Sequence, residues 1–199
     1  MSSDSQVFSP GPGAGANVRE KSASCLTLIG PFREEKHRIA ERLASRLQWG
    51  WIDTDHLMEA WFGLSLNAIK TKLGFPGFLT AQDQVLPELD VACLIIAAGS
   101  GATLSPNVLR FLQHQGIIVF LRPPDRKGEQ QIRREFLQGF DPKPEVSGQD
   151  LLLGSKRRFP ETADLILPAG VSSTESASDF ILKGFYGQQE TAIEAKQAF

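Results

Sequence analysis

The chain reads as a single α/β domain with three layers, helices covering both faces of a five-stranded parallel sheet. Three observations predict this. Short apolar runs, rich in β-branched residues, alternate with stretches of helical periodicity. Strands separated by helices pair in parallel and are buried on both faces. The 199 residues, 41% of them hydrophobic, suit one sizeable core.

The elements follow in order. CLTLI (25–29) is the first strand. Residues 36–47 form a helix, with Ile39, Ala40, Leu43 and Leu47 on one face. WGWID (49–53) is the second strand. Shorter helical pieces follow at 56–61, 65–73 and 78–86. CLIIA (93–97) is the third strand, residues 107–115 a helix, and IIVFL (117–121) the fourth strand. The charged segment 122–150, with scattered Gly and Pro, is expected to form a lid. ADLIL (163–167) is the fifth strand and 174–185 a closing helix. The ends differ in character. Residues 1–22 are rich in Ser, Gly and Pro and read as a flexible tail, and the polar residues 187–199 read as a second one, leaving 23–186 as the domain.

Composition excludes several functions. A net charge of -2 gives no broad basic field for nucleic acid. The longest apolar runs, such as VACLIIAA, are too short to span a bilayer, so no membrane partner is expected. Cys25 and Cys93 both fall in apolar runs and are read as buried core thiols. Without a disulfide framework or a signal peptide, the expected compartment is a reducing cytoplasm. His37, His56 and His114 do not cluster with the cysteines at metal-ligand spacing.

Ligands on such sheets bind at the carboxyl ends of the strands. The polar and glycine-rich spots fall there, at 30–37, at Asp53–Asp55 and at Gly99–Gly101. The first resembles the phosphate-binding loop G-x-x-x-x-G-K-[ST]. Gly30 opens it and Lys36 stands at the lysine position. Glu35 and His37 occupy the places of the second glycine and the hydroxyl. Glycines permit positive φ in such a loop and leave no side chain in the way of phosphate. Arg33 and Glu35 are therefore expected to strain it, by about 1–3 kcal/mol each. Glu34 and Glu35 would also repel a triphosphate, and His37 is a poor substitute for an oxygen ligand on Mg²⁺.

Five landmarks in order resemble the shikimate kinase family, small P-loop kinases of the nucleoside monophosphate kinase type, from about Leu26 to Phe185. They are the loop at 30–37, WIDTDHLMEAWFGLS, IIAAGSGATL, GIIVFLRPPD and FPETADLIL. The resemblance implies a P-loop kinase fold, ATP and Mg²⁺ as cofactors of an active member, and a role in aromatic amino acid biosynthesis. It implies catalytic roles for Lys36 and Asp53, nucleotide binding by Gly30, Lys36 and His37, and Asp53 as the metal ligand. Asp55, Gly99, Ser100, Gly101 and Arg157 would bind the acceptor. Asp55 has a second reading as a helix N-cap. Arg133 and Arg134 fall where a lid arginine would lie. The family's Gly-Glu-x-x-Phe-Arg segment appears here as GFPGFL, with Phe75 for the glutamate and Leu79 for the arginine that would hold the substrate carboxylate.

The expectation is thus a shikimate kinase-like protein without ordinary ATP:shikimate phosphotransferase activity, binding a small-molecule ligand or a protein partner. The alternative is a divergent active kinase acting on shikimate or a related hydroxylated acid. A third reading makes Trp49, Trp51 and Trp61 an exposed interaction patch.

Overall fold

The computed structural model describes residues 25–30, 32–89, 91–99, 101–102, 104–122, 137, 159–171 and 173–197. The expected strands form, and their order gives the architecture: β1 (Cys25–Ile29), β2 (Gly50–Asp53), β3 (Leu94–Ala97), β4 (Gly116–Leu121) and β5 (Leu165–Leu167) pair in parallel as β2-β3-β1-β4-β5. In register, Thr27 of β1 lies between Ile96 and Ile118. All five residues of β1 and all six of β4 are buried, as expected of parallel strands covered on both faces.

Among the described residues the strands are accompanied by the α-helices α1 (Arg33–Leu47), α2 (Thr54–Phe62), α3 (Leu66–Val85), α4 (Pro106–Gln115), the single turn α5 (Phe159–Thr162) and α6 (Thr174–Gln197). Alternation along β1 sends Leu26 and Leu28 to one face, against Ile39 and Leu43 of α1 and Ile181 and Phe185 of α6. Cys25 and Ile29 go to the other face, against Val108 and Leu112 of α4. A third apolar cluster, around Met58, Ile69 and Phe78, joins α2 to α3.

Several boundaries differ from expectation, each with a local cause. The pieces at 65–73 and 78–86 are one element, broken at Gly74, whose φ of 64° and ψ of -179° interrupt the helix just before Pro76. The closing helix continues to Gln197 rather than ending at Phe185. β3 begins at Leu94 because Cys93 has φ 57°, outside the extended region. Cys93 is consequently exposed, not the buried thiol its apolar run suggested. The most consequential shift is at α1, which begins at Arg33, three residues before the expected start at Lys36. The lid segment 122–150 falls outside the described residues except Arg122 and Leu137, as do residues 1–22, Ser100, Arg133, Arg134 and Arg157. No helix among the described residues is long and apolar enough to cross a membrane.

Candidate functional site

The site is set by how the chain leaves β1. Gly30 turns out of the strand at φ 143°, and a Cβ there would lie 2.7 Å from the carbonyl oxygen of Leu121. Only glycine suits that turn. From Arg33 the residues Arg-Glu-Glu-Lys are good helix formers, and Glu34 and Glu35 place carboxylates at the positive end of the helix dipole. Helix α1 therefore starts one turn early, and Lys36 N–H already donates to the Phe32 carbonyl at 3.0 Å. The expected strain at Arg33 and Glu35 is absent: both lie in α1, and among the described non-glycine residues only Gln48 and Cys93 have positive φ. The segment avoids a glycine conformation by ceasing to be an open loop.

Arg33 and His37 are separated by one helical turn and project from the same face of α1. Both reach Asp53 at the end of β2. The Arg33 Nε donates to Asp53 Oδ2 at 3.1 Å, and the His37 Nε2 makes a short contact with the same oxygen. Asp53 Oδ1 accepts from the backbone N–H of Asp55 at 2.6 Å, which makes Asp53, not Asp55, the N-cap of α2. Burial pushes the Asp53 carboxyl up, but the hydrogen bond from His37, the Arg33 charge and the Asp55 N–H outweigh it, so its pKa lies below the usual carboxylate range. The His37 ring also packs against Trp51 and His56, at centroid distances of 5.2 and 5.8 Å.

Lys36 points inward and is 3% exposed. Its Nζ donates to the carbonyls of Gly30 at 2.9 Å and Ala98 at 2.6 Å. Those carbonyls follow β1 and β3, adjacent strands whose onward connections leave in opposite directions. That is the switch point where ligands of open α/β sheets bind. Lys36 thus bridges the two walls of the crevice.

The other side of the crevice is built around Asp55. Asp55 is buried over Gly99, where a Cβ would fall 2.0 Å from Asp55 Oδ1, so the carboxylate occupies the space a side chain would need. The Gly99 N–H donates to the Thr54 hydroxyl at 2.8 Å, which fixes this turn beneath the start of α2. Burial, then repulsion from Asp53, raises the Asp55 pKa, against the pull of Lys36, Lys70 and Arg33. Gly101 has a different setting, packed against α3, where a Cβ would fall 2.7 Å from both the Gln82 side chain and the Phe78 ring. Leu79, in the place of the family arginine, packs against the apolar cluster of α2 and α3.

A cleft of about 790 Å³ joins these parts. One half lies by the ends of β4 and β5, at Leu121, Arg122 and Pro168. The other lies between α2 and α3, at Asp55, Glu59 and Lys70. Two of its residues escaped the sequence reading in their present roles. Arg33 was seen as a misplaced glycine rather than as the partner of Asp53. Lys70 gave a readable signal, a cation four residues after Leu66 on the apolar stripe of α3.

The fit of a magnesium nucleotide can be judged from these contacts. Both Asp53 oxygens are engaged, one of them by two side chains. No group of three His, Cys, Asp or Glu among the described residues could hold a metal ion. The first turn of α1 presents Glu34 and Glu35 to the cleft, where a phosphate would need backbone N–H groups and positive charge. As arranged, these residues do not fit Mg²⁺ with a triphosphate.

Comparison with known proteins points to one family. The family model for shikimate kinase matches residues 35–182. The chain is 29% identical over 173 residues to a shikimate kinase of Halorhodospira halophila, covering 84% of this chain and 97% of that one. It is 30% identical over 168 residues to one from Synechococcus sp. strain CC9605, covering 81% and 82%. Among solved structures it is similar to shikimate kinase from Acinetobacter baumannii in complex with shikimate, with TM-score 0.68, 27% identity, and 84% and 96% of the two chains covered.

Proposed function

Because this chain belongs to the shikimate kinase family, we propose that it is a member that binds a ligand in the acceptor half of its cleft without transferring phosphate from ATP to shikimate. One observation carries this reading. Asp53, the residue the resemblance assigns to the metal, is held by Arg33 and His37 from the first turns of α1. Phosphoryl transfer rests on positioning and on charge neutralisation by metal, lysine and arginine. Here Lys36 is hydrogen-bonded to carbonyls, and Leu79 supplies no charge. The occupant is a small molecule or a protein segment, and shikimate, which the Acinetobacter baumannii enzyme binds, is the first to try. Both cysteines are free thiols, which supports a reducing, cytoplasmic setting.

A second reading, a divergent active kinase for shikimate or a related hydroxylated acid, is favoured by the intact seat of Asp55 above Gly99. Calorimetric titration with ATP and ADP, with and without Mg²⁺, separates the two. The binding reading expects no nucleotide binding in the micromolar range, and none that Mg²⁺ strengthens. Magnesium-dependent binding lost in Lys36→Ala, together with phosphate transfer to shikimate, would establish the kinase instead. In that case Arg33→Gly, Glu35→Gly and His37→Ser together should increase an existing rate.

A further inference from the structure

Both cysteines stand where the chain enters the sheet, at the end away from the cleft: Cys25 opens β1, and Cys93 immediately precedes β3. The register sets Cys25 opposite Leu94, so Cys93 is one residue from the direct partner of Cys25. Val91 and Leu94, on either side of Cys93, pack on the apolar cluster that contains Cys25. The Cys25 thiol donates to the Val91 carbonyl at 3.6 Å, so its sulfur faces the connector that carries Cys93. Neighbouring strands lie about 4.8 Å apart and rise about 3.3 Å per residue, which puts the two Cα atoms on the order of 6 Å apart. Disulfide-bonded cysteines span about 4.4–6.8 Å. The two thiols differ in access, Cys25 being fully buried and Cys93 exposed. Cys93 also carries a φ of 57°. Gln48, the other described non-glycine residue with positive φ, is the C-cap of α1, where that conformation is common. Cys93 caps no helix, and its strain is held by the packing on either side of it. Alternation in an extended strand would send Cys93 to the face opposite Cys25; the left-handed turn at Cys93 breaks that alternation.

We propose that Cys25 and Cys93 are a reversible dithiol pair, which a low-molecular-weight disulfide oxidises to an intramolecular disulfide tying β1 to β3. The exposed Cys93 thiolate attacks the S–S bond of the oxidant, forms a mixed disulfide and releases one small thiolate. Local opening of the turn at 91–93 then lets the Cys25 thiolate attack the Cys93 sulfur. The protein disulfide forms and the second small thiolate leaves. The two protons shed by Cys25 and Cys93 are taken up by the two released thiolates, so one small disulfide becomes two small thiols. Excess dithiol reverses both steps. The bond closes a long loop that contains α1, β2, α2 and α3, and so restricts the unfolded chain. It fastens one end of the β1–β3 pair, and Lys36 fastens the other through the carbonyls of Gly30 and Ala98. Oxidation thus ties the two walls of the crevice at both ends, whatever the cleft binds.

The test uses the full chain, reduced and freed of reductant, with oxidised glutathione as the oxidant. Intact mass and non-reducing peptide maps read the products. Wild type should remain a single chain, lose both thiols and yield a linked pair of peptides carrying Cys25 and Cys93. Cys25→Ala should stop with glutathione on Cys93. Cys93→Ser should lose the Cys25 thiol at least about tenfold more slowly, because no exposed thiol relays the reaction. Oxidised wild type should unfold at higher denaturant concentration than reduced, and excess dithiothreitol should return it to the reduced midpoint. Wild type that keeps both thiols, or that holds glutathione on Cys93 while Cys25 stays reduced, would overturn the proposal. So would chains joined to one another through Cys93, a link that forms only in denaturant, equally fast loss of the Cys25 thiol in Cys93→Ser, or no rise in midpoint on oxidation. Thermal unfolding confirms that Cys25→Ala is folded; if it is not, Cys25→Val takes its place with the same expectation.

Discussion

Replacing Lys36 by methionine asks what the lysine is for. Methionine keeps most of the side-chain volume and removes the charge. If Lys36 is a bridge between strands, its loss leaves the carbonyls of Gly30 and Ala98, now bonded at 2.9 and 2.6 Å, without that donor. Each buried acceptor left unsatisfied costs about 1–3 kcal/mol. Part of this is recovered, because the folded state no longer keeps an ammonium from water. A net loss of about 2 kcal/mol follows, or a fall of about 4–8 °C in Tm for a chain of this size. The assay is guanidinium and thermal unfolding of the ligand-free protein, followed by tryptophan fluorescence. A lysine held in reserve for phosphate predicts the opposite sign, since its ammonium would be a burden until ligand arrives. Unchanged or increased stability in Lys36→Met would refute the bridging role.

Other measurements bear on neighbouring groups. The depressed pKa of Asp53 means its interactions contribute fully above the unfolded carboxylate value of about 3.9 and are lost as pH falls through the lower folded value. Asp53→Asn should then cost about 1–2 kcal/mol at pH 7, a figure reduced because Arg33 is partly solvated, and the gap should close below pH ~4. Asp55 has the reverse sign: its raised pKa makes the charged form a cost that appears as pH rises through that value, so Asp55→Asn should raise Tm at neutral pH. The Thr27 hydroxyl is buried in β1 with no hydrogen-bond partner among the described residues, and Thr27→Val should stabilise by about 1 kcal/mol in denaturant unfolding. Trp61 and Trp51 are 56% and 37% exposed, whereas Trp49 packs edge-on against Phe185. Acrylamide should therefore quench a large part of the fluorescence, and Trp61→Phe should shrink that part.

The sheet was legible because its signal is local and repeated. Five apolar runs sit between helical stretches, and each strand had to be buried on both faces. That Asp55 and Gly99 both follow strand ends was legible from the order of motifs; that the carboxylate lies directly over Gly99 was not. The start of α1 was not. A template reading treats Arg33 and Glu35 as failed glycines, whereas the chain resolves the conflict by extending a helix, and what anchors that helix is a carboxylate 20 residues away. Cys93 was misjudged for a related reason: its neighbours are apolar, but one residue at φ 57° ends the strand before it. Lys70 was overlooked because a lysine on a helix reads as solvent-facing until the packing of α3 on α2 places it inside.

The triangle of Arg33, His37 and Asp53 also bears on reversibility. Each single change toward a glycine-rich phosphate loop, Arg33→Gly or His37→Ser, first takes a partner from a buried carboxylate. It gives nothing to a phosphate until the whole first turn of α1 has unwound and Lys36 has left its two carbonyls. On the binding-module proposal, the intermediate steps would be destabilising without yet conferring nucleotide binding. Against a stability margin of a few kcal/mol, the contacts behave as a ratchet: point substitutions can improve whatever the closed cleft now does more readily than they can reopen it.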